Sequence, residues 1–78
     1  MRGISYTTHV RRRMKQRGVR EQDIEVTLSA PDSIRHTPEP SWCYERTMQD
    51  GRTLKVWVVD KDADPWKVKS AAWRGERD

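Results

Sequence analysis

Residues 41–60 read SWCYERTMQDGRTLKVWVVD, and this stretch decides the fold. Two runs rich in aromatic and β-branched residues flank Asp50-Gly51, a dipeptide typical of two-residue hairpin turns of the primed type. Such a turn sets the register. Trp42 then faces Val59, Tyr44 faces Trp57 and Arg46 faces Lys55. One face of the hairpin carries these six side chains, with aromatic and basic groups interleaved. The other carries Cys43, Glu45 and Thr47 opposite Val58, Val56 and Leu54, and is the natural one to lie against helices.

Outward from the hairpin, the chain reads as strands on both sides. Ser33 to Thr37 forms an edge strand, cut off by Pro38 and Pro40, which a central strand does not tolerate. Beyond Asp60-Lys61-Asp62-Ala63-Asp64-Pro65, a last strand runs from Trp66 to Trp73. Period two puts Trp66, Val68, Ser70 and Ala72 on one face and Lys67, Lys69, Ala71 and Trp73 on the other. The alternating Asp residues lack the Gly and distal Glu of a calcium loop. Arg74 to Asp78 is a charged tail. A very short strand at Ile4 to Tyr6 opens the chain.

Between that strand and the sheet lie two helices. Thr8 to Arg17 is bounded by a capping Thr and by Gly18, which takes the left-handed conformation that ends a helix. Val10 and Met14 form its narrow apolar stripe. His9, Arg13 and Arg17 recur every fourth residue along one edge of that stripe. After one short joint a second helix starts with Arg20 as N-cap and Val19 and Ile24 as a hydrophobic staple. It buries Ile24, Thr27 and Leu28 and stops before Pro31. The expected architecture is a single α+β domain over residues 1–78, with two N-terminal helices packed on an antiparallel sheet of three or four strands.

The totals narrow the function. The chain has 78 residues, 33% hydrophobic and 36% charged, with no Phe and four Trp. A domain this small has a small core and leans on its Trp residues. The net charge of +4, with a pI of about 9.6, favours an anionic partner, of which nucleic acid is the usual one. One cysteine excludes an internal disulfide and a multi-cysteine metal site, so no metal and no cofactor are expected. No segment has the apolar length of a membrane span and no signal-peptide core is present, so a cytoplasmic location is expected.

The run from His9 to Val19, H-V-R-R-R-M-K-Q-R-G-V, resembles the opening of a small bacterial domain-of-unknown-function family that begins close to H-A-x-x-R-M-x-x-R-G-I. Ala30-Pro31-Asp32, the strand Leu54 to Val59 and Val68-Lys69-Ser70-Ala71 continue the likeness over about residues 4 to 73. That family is similar in turn to RelE-like and BrnT-like toxins of the barnase-like ribonuclease class. The resemblance implies a RelE-like fold, metal-independent RNA cleavage and a cognate antitoxin. It assigns His9, Arg13 and Arg17 to the motif and Ser70 to the hydroxyl of the last strand.

Two kinds of chemistry follow. An endoribonuclease would use His9 as acid or base, Arg13 with Arg17 or Arg46 on the phosphate oxygens, and Ser70 or Tyr44 to orient the phosphate. His36 is a candidate second proton-transfer group. RNA contacts would come from Arg11, Arg46, Lys55, Tyr44 and Trp57, with rings for stacking and cations for phosphates. The alternative is a module that binds nucleic acid without cutting it, or one that pairs with a protein, as a homodimer or with an antitoxin. Each group also has an ordinary role open to it: a solvated basic helix face, and a Trp pair covering a small core.

Overall fold

The computed structural model describes residues 3–38 and 41–75. Pro40 and residues 76–78 of the expected tail lie outside them. The elements are β1 (Ile4–Tyr6), α1 (Thr8–Arg17), α2 (Glu21–Ser29), β2 (Ser33–Thr37), β3 (Ser41–Thr47), β4 (Thr53–Val58) and β5 (Trp66–Trp73). Among the described residues, no helix is long and apolar enough to cross a membrane.

Local chemistry explains the helices. Thr7 caps α1, its Oγ1 accepting from the Val10 N–H at 3.1 Å. Gly18 adopts φ 65° and ψ 32°, and the Val19 N–H closes back on the Met14 carbonyl at 2.9 Å, which satisfies the last turn. Arg20 offers no side-chain cap. Instead Asp23 Oδ2 reaches back to the Arg20 N–H at 3.0 Å. Val19 and Ile24 are both buried, as a staple requires. Val10 and Met14 of α1 and Ile24, Thr27 and Leu28 of α2 point into the core.

The sheet corrects the expected architecture. It has five strands in the order β1-β5-β4-β3-β2 and is mixed, because β1 runs parallel to β5 while the other pairs are antiparallel. Two helices on an antiparallel sheet of three or four strands, the RelE-like arrangement, is therefore not what this chain forms, although it remains α+β. The physical reason lies at β1. Its three residues join the free edge of β5, pairing Ile4 with Trp66 and Tyr6 with Val68. From β1 the chain passes straight into α1, which packs against β5.

The hairpin register is also shifted by one residue. Trp42 faces Val58, Tyr44 faces Val56, Glu45 faces Lys55 and Arg46 faces Leu54. The Met48 N–H bonds the Arg52 carbonyl at 2.7 Å, and the Gly51 N–H bonds the Met48 carbonyl at 3.0 Å, so the loop is the three residues Gln49-Asp50-Gly51. A primed two-residue turn needs φ > 0 at both Asp50 and Gly51. Only Gly51 has it, at 90°. Asp50 instead accepts from the Arg52 backbone N–H at 3.0 Å and from its guanidinium Nε at 2.7 Å, and these bonds hold its carboxyl below the usual range.

The shift re-sorts the faces. Tyr44, Leu54, Val56 and Val58 now lie together in the core under the helices, with Trp42 packed at its margin. A second irregularity acts on β5. Val68 pairs with Val58 but Ser70 pairs with Trp57, so Lys69 is an extra, bulged residue. The bulge reverses the alternation along β5. Trp66, Val68, Ala71 and Trp73 all join the core, instead of falling on opposite faces as period two required.

Tyr6 marks the β1 end of the core. It is partly buried, and its hydroxyl has no hydrogen-bond partner among the described residues. Burial, then the Glu21 and Glu25 carboxylates, push its phenol from 10.0 up to about 12, with Arg11 opposing. An acid whose folded pKa is raised keeps its full contribution below the unfolded pKa and loses it as pH rises through the folded one. Stability should therefore fall between pH 10 and about 12, by on the order of 1 kcal/mol once solvent screening of this half-exposed ring is allowed for. Tyr6→Phe removes that part of the alkaline loss and costs little at pH 7, because an unpartnered buried hydroxyl is deleted. Urea unfolding of both chains at pH 8 and pH 11.5 reads the difference. Parallel losses would rule the Tyr6 titration out as its cause.

Candidate nucleic-acid interface

The basic row of α1 overhangs an exposed edge of the sheet. β1 ends at Tyr6, opposite Val68, so among the described residues no strand pairs with that edge of β5 beyond Val68. Into this gap Arg17 sends its guanidinium, donating to the Ala71 carbonyl at 2.8 Å. The Arg17 carbonyl in turn accepts from the Trp73 indole N–H at 3.1 Å. Arg17 is thus tied to β5 at both ends, and the turn of α1 above it is fixed in register with the strand.

His9, Val10, Arg13, Arg17, Lys69 and Ser70 line the cleft that results, of about 210 Å³. His9 and Arg13 are exposed, while Arg17 and Ser70 are half-buried. The four residues singled out as catalytic therefore border a single space. His9, Arg13 and Arg17 are neighbours by helical spacing. Ser70 arrives from more than fifty residues away through the packing of α1 on β5. Lys69 was not singled out, and only the bulge puts it beside the α1 row. Period-two reading has no signal for a bulge without a glycine.

The residues that line the cleft carry an imidazole, a hydroxyl, two guanidiniums and an ammonium. Such a set suits a phosphodiester: the cations meet the non-bridging oxygens and the imidazole can carry a proton.

The other expected RNA contacts divide. Arg11 lies on the far side of α1, paired with Glu21 at 2.5 Å and set over the Tyr6 ring at 4.8 Å. Arg46 caps the end of α2, donating to the Ala30 carbonyl at 2.6 Å. Tyr44 is buried, edge-on to Trp66 with centroids 6.4 Å apart. Arg46 and Lys55 lie on opposite faces, so the like-charged pair expected across the hairpin does not form. Lys55 and Trp57 remain half-exposed on the face of the sheet that no helix covers. His36 sits on β2, the opposite edge strand, its ring tilted 42° against Trp42 with centroids 4.7 Å apart, and three strands from the cleft.

The uncovered face has its own electrostatics. Glu45 is buried there between Arg35 Nε at 3.4 Å and the Arg74 guanidinium at 2.9 Å, with Lys55 directly opposite. Cys43 is fully buried beside it, and burial pushes its thiol up, against the opposing hydrogen bond from Arg35. A buried thiol of that kind is inert as a nucleophile.

A two-layer α+β domain with a basic cleft at one sheet edge is the class this geometry defines. Residues 6–73 match the family described as Domain of unknown function (DUF4258), and the chain belongs to that family. No curated protein and no solved structure matches it.

Proposed function

We propose that this protein is an endoribonuclease that cuts RNA in the cleft between α1 and the bulged edge of β5. The observation that carries the reading is the convergence of His9, Arg13, Arg17, Lys69 and Ser70 on one small cavity. The RNA supplies its own nucleophile. His9 takes the proton from the 2′-hydroxyl, the 2′ oxygen bonds to phosphorus, and the bond to the 5′ oxygen breaks. Arg13 and Arg17 hold the non-bridging oxygens as charge builds. Ser70 orients the phosphate. The Lys69 ammonium gives the leaving 5′ oxygen its proton, and the products are a 2′,3′-cyclic phosphate and a 5′-hydroxyl. On this reading the enzyme acts in the cytoplasm and is restrained by an antitoxin.

The test is to incubate the purified chain with total bacterial RNA in EDTA. Fragments with cyclic phosphate ends are expected, with no cut where the 2′-hydroxyl is replaced by hydrogen. Intact RNA in the presence of folded protein would sink the proposal. A second reading, RNA binding without cleavage, is favoured by one observation: the cleft holds a single imidazole, and His36 is remote from it. Under that reading the native chain binds RNA with an affinity that falls steeply with salt and leaves it uncut.

A further inference from the structure

The uncovered face of the sheet continues directly from the cleft. Cross-strand pairing sets Arg35, Cys43, Trp57 and Ser70 in one row across β2, β3, β4 and β5. Ser70 is thus both a wall of the cleft and the immediate neighbour of Trp57. Directly paired side chains start about 5 Å apart at Cβ, within the reach of one nucleotide. Trp57 is flanked in its row by the small side chains of Cys43 and Ser70 and is half-exposed. Lys55 lies two residues along the same strand, on the same face.

Among the described residues, the charge around Trp57 is mainly basic: Arg35, Lys55 and Arg74 surround Glu45, which two guanidiniums neutralise. Lys67 is exposed on the same face, one position from buried Trp66 and Val68. A half-exposed ring on a cationic floor matches a base attached to a phosphate chain, and it does not match an apolar or basic protein surface. A base within a duplex has its faces stacked on its neighbours and cannot lie on an indole.

We infer that Trp57 is a stacking platform for the nucleotide next to the phosphate held in the cleft, and that the substrate is single-stranded RNA. The inference rests on the cleft being the site of phosphate binding. The path runs from the α1 row, over the Ser70 edge, onto Trp57, with Lys55 and Arg35 beside the backbone. The hairpin register makes it possible. It pairs Trp57 with Cys43 on the uncovered face, while Tyr44, which the expected register set opposite Trp57, pairs with Val56 in the core.

The test uses the His9→Ala chain, so that RNA is not consumed, and fluorescence anisotropy with a labelled ten-nucleotide RNA. The probe is offered single-stranded and as a blunt duplex, at two salt concentrations. Stacking of one base is worth about 1–3 kcal/mol, so Trp57→Ala should weaken single-strand binding by about 5- to 150-fold. Trp57→Phe should restore it to within a few-fold, which separates lost stacking from lost folding. Duplex should bind more weakly and be indifferent to Trp57.

Equal affinity for single strand and duplex, unchanged affinity in Trp57→Ala, or no binding by folded protein would each overturn the inference. Cleavage by the native chain together with Trp57-independent binding overturns the platform and leaves the ribonuclease standing. Trp57-dependent binding without cleavage does the reverse.

Discussion

His9→Ala lowers the rate of RNA cleavage by about 10²–10⁴-fold, the usual worth of a positioned proton-transfer group, and leaves RNA affinity within about twofold. The two effects separate because of where His9 stands. It is exposed near the N-terminus of α1, beside Arg13, and the buried residues of that helix are Val10 and Met14. Removing the imidazole therefore leaves the packing of α1 intact, and it leaves the cations of Arg13, Arg17 and Lys69 in place. Single-turnover rates with saturating protein isolate the chemical step. Arg13→Ala is the companion variant. Its guanidinium is exposed, and its loss should cost about 10²-fold, as for one donor to a developing oxyanion. Arg17→Ala is a poorer probe, since it also removes the bond to the Ala71 carbonyl. A His9→Ala chain that cleaves within threefold of the native rate would remove His9 from the reaction.

Trp73→Ala brings the domain close to unfolding. The indole is 5% exposed and packs beside Leu54, with the Arg52 guanidinium 4.0 Å from the ring centroid. Its N–H holds the Arg17 carbonyl at the end of α1. Truncating such a side chain costs about 3–5 kcal/mol in transfer and cavity terms. A chain of this length has a total stability of only about 4–12 kcal/mol. The melting temperature should fall by about 15–30 °C. Trp73→Phe keeps most of the buried ring and loses the hydrogen bond, so a smaller loss of about 1–2 kcal/mol is expected. The same contact orients Arg17, so Trp73→Phe should also slow cleavage more than it weakens folding. A fall of only a few degrees in Trp73→Ala would show that the core does not depend on this residue.

Both experiments bear on one feature of the molecule, the attachment of α1 to the edge of β5. The α1 half of that attachment is legible in sequence, because caps and helical spacing act within ten residues. The β5 half is not, because a bulge at Lys69 leaves no local mark. Period-two reading placed Ser70 on the last strand and resemblance gave its hydroxyl a role, but its neighbours were out of reach.

Sequence by itself determined the elements that depend on nearby residues. Thr7, Gly18 and the Val10/Met14 stripe set the bounds of α1, Asp23 and Pro31 those of α2, and Pro38 keeps β2 at an edge. It also determined that His9, Arg13 and Arg17 share one helix edge, since 3.6 residues per turn allows nothing else. Tertiary structure decided what depends on burial across the chain. A three-residue turn was selected over a two-residue one because it keeps Asp50 at negative φ and sends Tyr44 under the helices with Val56. The bulge was selected because Trp66, Val68, Ala71 and Trp73 can all be buried only if the alternation of β5 reverses once. The parallel placement of β1 followed from the free edge that β5 offered. In each case the local cost is small, and the apolar area removed from water by residues distant in sequence outweighs it.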